Sequence, residues 1–146
     1  MLSPSPYPSP SNGSAEPIAR VPRPPRRPTT DARRAADSAG RRGERLAAWW
    51  LRLKGWSILD RRVRTPAGEV DLVARRGNLI AFVEVKTRAS AAELAFAIDE
   101  RRLARVAAAA EMLMPRYAGP NDDIRIDVIL LAPVTRPRHI ENAWIG

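Results

Sequence analysis

The sequence predicts an α/β fold, a mixed central sheet flanked by helices and preceded by a disordered tail. Three observations carry that prediction. Apolar residues recur at helical spacing from about Asp31 to Lys54. Three runs rich in strand-forming residues then follow one another, separated only by turn residues. A stretch rich in Ala, Leu and Met, free of Pro and Gly, divides them from a fourth such run.

The elements follow in order. Residues 1–30 hold nine of the 14 prolines and few large apolar side chains. They cannot build a core and are expected to be a Pro/Arg-rich disordered or polyproline-like tail. Its "RVPRPPRRP" could touch phosphates or enter a proline-reading groove. Residues 31–146 suffice for one domain. Its first helix, about Asp31 to Lys54, carries Ala36, Ala39, Leu46, Ala47, Trp50 and Leu53 at helical spacing, and Gly55 suits a C-cap. "WSILDRRVR" (56–64) reads as a strand and "TPAG" (65–68) as a turn. "EVDLVAR" and "LIAFVEVK" read as a hairpin turning near "RGN" (76–78). Residues 91–114 read as one long helix stopped by Pro115. "DIRIDVILL" (123–131) is a strand, and "HIENAWI" (139–145) a last edge strand. The first three strands make an antiparallel meander. The second helix crosses over to a strand parallel to the third.

Composition bounds the function. Lys and Arg number 25 against 16 Asp and Glu, a net charge of +9, and Lys occurs only at positions 54 and 86. Such charge suggests a polyanion partner, most often nucleic acid. A GC-rich genome equally explains the preference for Arg, though not the sign of the charge. Residues 1–43 carry eight Arg against three acids, so the domain beyond them is only moderately basic. With no cysteine, disulfide scaffolds and thiolate metal sites are excluded. No apolar run approaches the roughly 18 residues of a membrane span, and no apolar segment suggests a secretory signal. The expectation is a cytoplasmic protein without membrane partners. Without a phosphate-binding Gly-rich loop, no NTP-driven step is expected.

The hairpin "GEVDLVARRGNLIAFVEVKTR" (68–88) places Glu69, Asp71, Glu84 and Lys86 where a half-buried strand should be apolar. Side chains alternate faces along a strand, so Glu69 pairs in facing with Asp71, and Glu84 with Lys86. A register that sets residue 71 near 84 brings all four together. Carboxylates that close repel one another unless a cation lies between them. Oxygen donors without His or Cys suit Mg²⁺ or Mn²⁺. Lys86 could orient a water or offset charge on a phosphate. The other reading is a strand with one solvated face and plain surface ion pairs. Glu44 shares its helix stripe with Ala47, Ala48 and Leu51, the side a sheet would cover. It either has a partner there or sits at the stripe's edge against Arg41 or Arg45.

The hairpin resembles the signature of the PD-(D/E)xK nuclease superfamily, with Asp71 on one strand and Glu84-Val85-Lys86 on the next. More closely, the chain resembles the YraN family of bacterial proteins, related in fold to archaeal Holliday-junction resolvases. The match runs over about 40–146 and includes "GERLAAWWLRLKGWSIL", the hairpin, the Ala-rich helix and "RIDVILL". The resemblance implies a restriction-endonuclease-like αβββαβ core and a metal-dependent endonuclease acting on DNA, branched repair or recombination intermediates included. It implies catalytic roles for Asp71, Glu84, Lys86 and Glu44, and Mg²⁺ (or Mn²⁺) held by Asp71, Glu84, Glu44 and Glu69. It implies nucleic-acid contacts at Arg88, Arg101, Arg102 and Arg105, with Arg102 standing where the family usually has a Lys. Arg keeps phosphate affinity but carries protons poorly. Asp127 matches a family position with no role derivable from the sequence, and a structural bond near Arg125 or to the first helix is the other reading. Analogy with junction-cutting enzymes suggests a homodimer. Two alternatives stand beside catalysis. One is an accessory protein that binds nucleic acid without cutting it and keeps the nuclease fold. The other is an interaction module working through the tail. Of Trp49, Trp50, Trp56 and Trp144, which could stack on bases, Trp50 and Trp56 are expected in the core and Trp49 at the surface. His139 is expected to be exposed.

Overall fold

Thr29 opens the first helix. In the computed structural model, which describes residues 29–94 and 97–146 together with Ser3, Pro4 and Gly13, the Thr29 hydroxyl accepts a hydrogen bond from the Ala32 N–H at 3.2 Å. This caps helix α1 (Thr30–Leu53), and Asp31 favours its positive end. Gly55, at φ 88°, takes the left-handed turn just past the helix, as expected of a C-cap glycine. Nearly all of the expected proline-rich tail lies outside the described residues.

Strands β1 (Ser57–Thr65), β2 (Gly68–Arg76) and β3 (Leu79–Thr87) form the antiparallel meander. After a short helix α2 (Ala91–Leu94) and a long helix α3 (Glu100–Tyr117), strand β4 (Asp123–Leu131) pairs parallel with β3, and β5 (Arg138–Ile140) antiparallel with β4. The five-stranded mixed sheet has the order β1-β2-β3-β4-β5. α1 packs on one face, burying Ala47, Ala48 and Leu51 against Leu72, Val83 and Ile129. α3 packs on the other, burying Leu103, Val106 and Ala110 against Val73, Ile80 and Phe82.

The structure corrects the sequence expectations in several places. Residues 91–114 are not one helix. Asp99 is extended, and its carboxylate accepts from the Arg101 N–H at 2.9 Å, so it caps α3 instead of continuing α2. Pro115 does not stop α3, which runs two residues further. In the last turn its missing N–H costs only one bond, and the Tyr117 hydroxyl anchors that turn by donating to Asp60 at 2.6 Å. The last strand is only Arg138–Ile140, ending just before Asn142 turns left-handed at φ 51°. Leu46 and Leu53, expected on the packed stripe, are exposed. The sheet covers only the narrow side made by Gly43, Ala47, Ala48 and Leu51.

Gly43 sets how closely α1 approaches the sheet. A Cβ there would lie 2.5 Å from the Thr87 Oγ1. Gly43→Ala should therefore lower unfolding free energy by about 1–2 kcal/mol, since the clash exceeds the gain in helix propensity. Adding Thr87→Ala should restore it, as read by urea unfolding. An undiminished Gly43→Ala midpoint would contradict this packing.

Candidate active site

β2 and β3 run through the middle of the sheet, so their central residues are buried whatever their chemistry. Leu72 lies opposite Val83, which brings Asp71 alongside Glu84. Regular alternation breaks here. Val70 and Val73 both pack on the α3 side while Leu72 packs on the α1 side. In β1 the paired residues step from Arg61–Leu72 to Val63–Val70, and Arg62 between them sits at φ 48°, an uncommon left-handed conformation for a side-chain-bearing residue. Instead of following the regular alternation, the Asp71 Oδ2 accepts a hydrogen bond from the Val85 N–H of β3 at 2.8 Å.

Asp71 is 8% exposed and Glu84 1%. Glu84 meets two cations: its Oε1 takes a bond from the Arg102 Nε and lies 3.3 Å from the Lys86 Nζ. Its Oε2 is buried with no hydrogen-bond partner among the described residues. Glu44 does have a partner, though neither of those expected. Its Oε2 accepts from the Arg62 Nε at 2.6 Å. Glu69 stands 3.7 Å from Arg64 at its better-exposed strand end. Glu44, Asp71, Lys86, Arg88 and Arg102 line one open cavity of about 550 Å³ between α1 and the end of β3. Glu84, Lys86 and Arg102 line a narrow pocket against α3. Glu69, Arg101 and Arg105 line neither. The exposed Arg105 instead rests on Gly68.

The charges are unbalanced at Asp71. Burial, then the negative charge of Glu84, pushes its carboxyl up to about 7. The Val85 N–H bond and the Arg102 charge pull the other way. No group of three His, Asp or Glu stands in cation-binding geometry among the described residues. The donor chemistry nevertheless fits a hard divalent ion. The unbonded Glu84 Oε2 and the strained Asp71 charge are both oxygen donors that a cation would satisfy. Arg102 and Lys86 supply part of that positive charge from the protein itself.

Asp127, by contrast, is a structural carboxylate. It is fully buried and accepts two bonds from Arg125 at 2.8 Å, one from the Asn142 N–H at 2.9 Å, and a contact with the His139 Nε2 at 2.7 Å. Burial pushes its carboxyl up, but the His139, Arg125 and Asn142 bonds outweigh it and hold it below the ordinary aspartate value. His139 is therefore not exposed. Pairing of β5 with β4 turns its side chain inward. Trp56 is buried and Trp49 is 64% exposed, as expected, whereas Trp50 is only half-buried. The residue that sequence reasoning missed is Arg62. Its only signal was an unremarkable Arg-Arg pair within a strand.

Fold and site together define an α/β protein with a buried carboxylate–lysine centre beside an open cavity at the C-terminal end of a central strand. Residues 43–131 match the family model described as "Uncharacterised protein family UPF0102". The UPF0102 protein of Sphingopyxis alaskensis is 65% identical over 112 residues, covering 77% of this chain and 97% of that relative. That of Rhizorhabdus wittichii is 62% identical over 114 residues, covering 78% and 97%. That of Erythrobacter litoralis is 65% identical over 112 residues, covering 77% and 97%. The chain belongs to this family, the one the sequence resemblance names YraN, and the fold is consistent with the nuclease superfamily.

Asp71 makes stability depend on pH in the metal-free protein. A carboxyl raised from 3.8 to about 7 by folding weakens the fold as pH rises through that window, because the folded state resists giving up the proton. Asp71→Asn removes this cost. In chelator, the variant should be more stable than the parent by about 2–4 kcal/mol near pH 8, with the gain shrinking toward pH 5. A gain that does not vary with pH would show that Asp71 is not strained.

Proposed function

We propose that this protein is a divalent-metal-dependent endonuclease that hydrolyses phosphodiester bonds of DNA, including branched repair and recombination intermediates. The observation that carries this reading is the buried Asp71–Glu84 pair with its unbonded Glu84 Oε2 and Lys86 beside it. A buried polar atom left unpaired is costly, and a second carboxylate nearby adds repulsion. A fold that keeps both is organised for a cation.

Asp71 and Glu84 would hold Mg²⁺ or Mn²⁺, with Glu44 facing the same cavity as the supporting acid. When bound, the metal lowers the pKa of a coordinated water and neutralises phosphate oxygens. Lys86, side chain largely buried and held by Glu84, supplies positive charge to the phosphate and a group to orient the attacking water. Arg102 stands over Glu84 with half its side chain exposed, so it can also reach a phosphate oxygen. Arg88, at the same cavity wall, extends that positive rim. Glu69, near the start of β2 and paired with Arg64, lines neither cavity, so its part is a supporting charge acting on Arg102.

Purified protein with Mg²⁺ or Mn²⁺ should nick or cut DNA, and Lys86→Ala should lower the rate about 10²–10⁴-fold. Its urea midpoint should stay close to the parent's, because Arg102 still compensates Glu84. Absence of cleavage on linear, single-stranded and branched substrates alike would contradict the proposal.

A further inference from the structure

Glu44 lines more than the cavity over Asp71. On the far side of Glu44 a second cleft of about 240 Å³ opens, lined by Arg41 and Arg45 of α1 and by Arg61 and Arg62 of β1. Glu44 lines both spaces. Arg41 and Arg45 are one helical turn apart and so share a face. Arg61 and Arg62 are neighbours in a strand and would ordinarily face opposite ways. They line the same cleft where the chain departs from regular strand geometry, with Arg62 at φ 48°. Such a backbone strain in a non-glycine residue is kept where the surroundings enforce it, often at functional sites.

Arg62 is occupied by Glu44. Arg41, Arg45 and Arg61 are exposed, and none of them forms an ion pair among the described residues. Four guanidiniums against the one carboxylate of Glu44 leave the lining of the cleft positive, which favours an anion there. Guanidiniums present paired N–H donors that match phosphate oxygens.

We propose that this cleft holds the phosphodiester backbone of the substrate nucleic acid and leads the strand past Glu44 to the cavity over Asp71. The proposal rests on the nuclease reading and gives it a direction. The backbone enters on the α1–β1 side, and Arg101 and Arg105 of α3 are not on its track. The shared chemistry is the backbone of either DNA or RNA.

The test measures binding of a fluorescein-labelled duplex by anisotropy against KCl concentration, without divalent metal so that nothing is cut. One arm uses DNA and the other RNA of the same sequence, which distinguishes the polymers. On the polymer that binds, Arg45→Ala and Arg61→Ala should each reduce the slope of log affinity against log salt by about 0.9, and the double variant by about 1.8. Arg45→Lys and Arg61→Lys keep the charge and should keep the slope, which separates a lost phosphate contact from a damaged fold. Arg138→Ala, on the opposite edge strand β5, should leave the slope unchanged. A parental slope in the double variant overturns the proposal. Cleavage with Mg²⁺ is scored separately. Cutting with unaltered slopes overturns the track and keeps the nuclease reading. Altered slopes without cutting of linear, single-stranded or branched substrates keep the track and overturn the nuclease reading. No binding of either duplex by the parent protein overturns the track, and the nuclease reading is then decided by cleavage alone.

Discussion

Two carboxylates buried side by side in the middle of a β-sheet are the constraint around which this structure is arranged. A sheet covered by helices on both faces normally fills its centre with aliphatic side chains, because an ion there loses its hydration. Here Val73, Ile80, Phe82 and Val83 do so, and Asp71 and Glu84 interrupt them. The fold accommodates the pair with local devices. The Val85 N–H is redirected to Asp71, Arg102 and Lys86 converge on one oxygen of Glu84, and β1 and β2 break alternation at Arg62 and Asp71. α1 approaches closely through Gly43 and two alanines, which sets Glu44 at the cavity rim.

The same sheet holds a useful comparison. Asp127 is more deeply buried than Asp71, yet every side of it is bonded and its carboxyl is held low. It ties β4 to β5 and to the residues that follow. Asp71 has one bond, a like charge beside it, and a carboxyl pushed up to about 7. Burial alone therefore does not distinguish a structural acid from a candidate ligand. Satisfaction does. An acid whose bonds are complete serves the fold, while one left short beside a cavity has capacity for a partner.

Much of this could be read from the sequence, for reasons that are local. α1, the meander and β4 follow from hydrophobic period and turn residues, which act over a few positions. The hairpin acids were visible as breaks in that period, and Glu44 as an acid on an apolar stripe. The misses are cases where a single side-chain bond decides, in most of them one to a distant residue. Asp99 caps a new helix within a continuous helical pattern. Tyr117 carries α3 past Pro115 by reaching Asp60. His139 turns inward to meet Asp127. Glu44 finds Arg62, eighteen residues on, rather than its helical neighbours. The left-handed turn at Arg62 has no Gly or Asn to announce it, so the cleft it helps to form had no signature in the sequence.

Asp71 and Glu84 are proposed to form a cation site rather than a buried structural pair. Titration of Mg²⁺ or Mn²⁺ into the parent protein and Glu84→Gln, followed by calorimetry, tests it without depending on catalysis. A cation site should give saturable binding to the parent protein that is abolished in Glu84→Gln, while the variant stays folded. Equal binding by both proteins, or none by the parent, would contradict it.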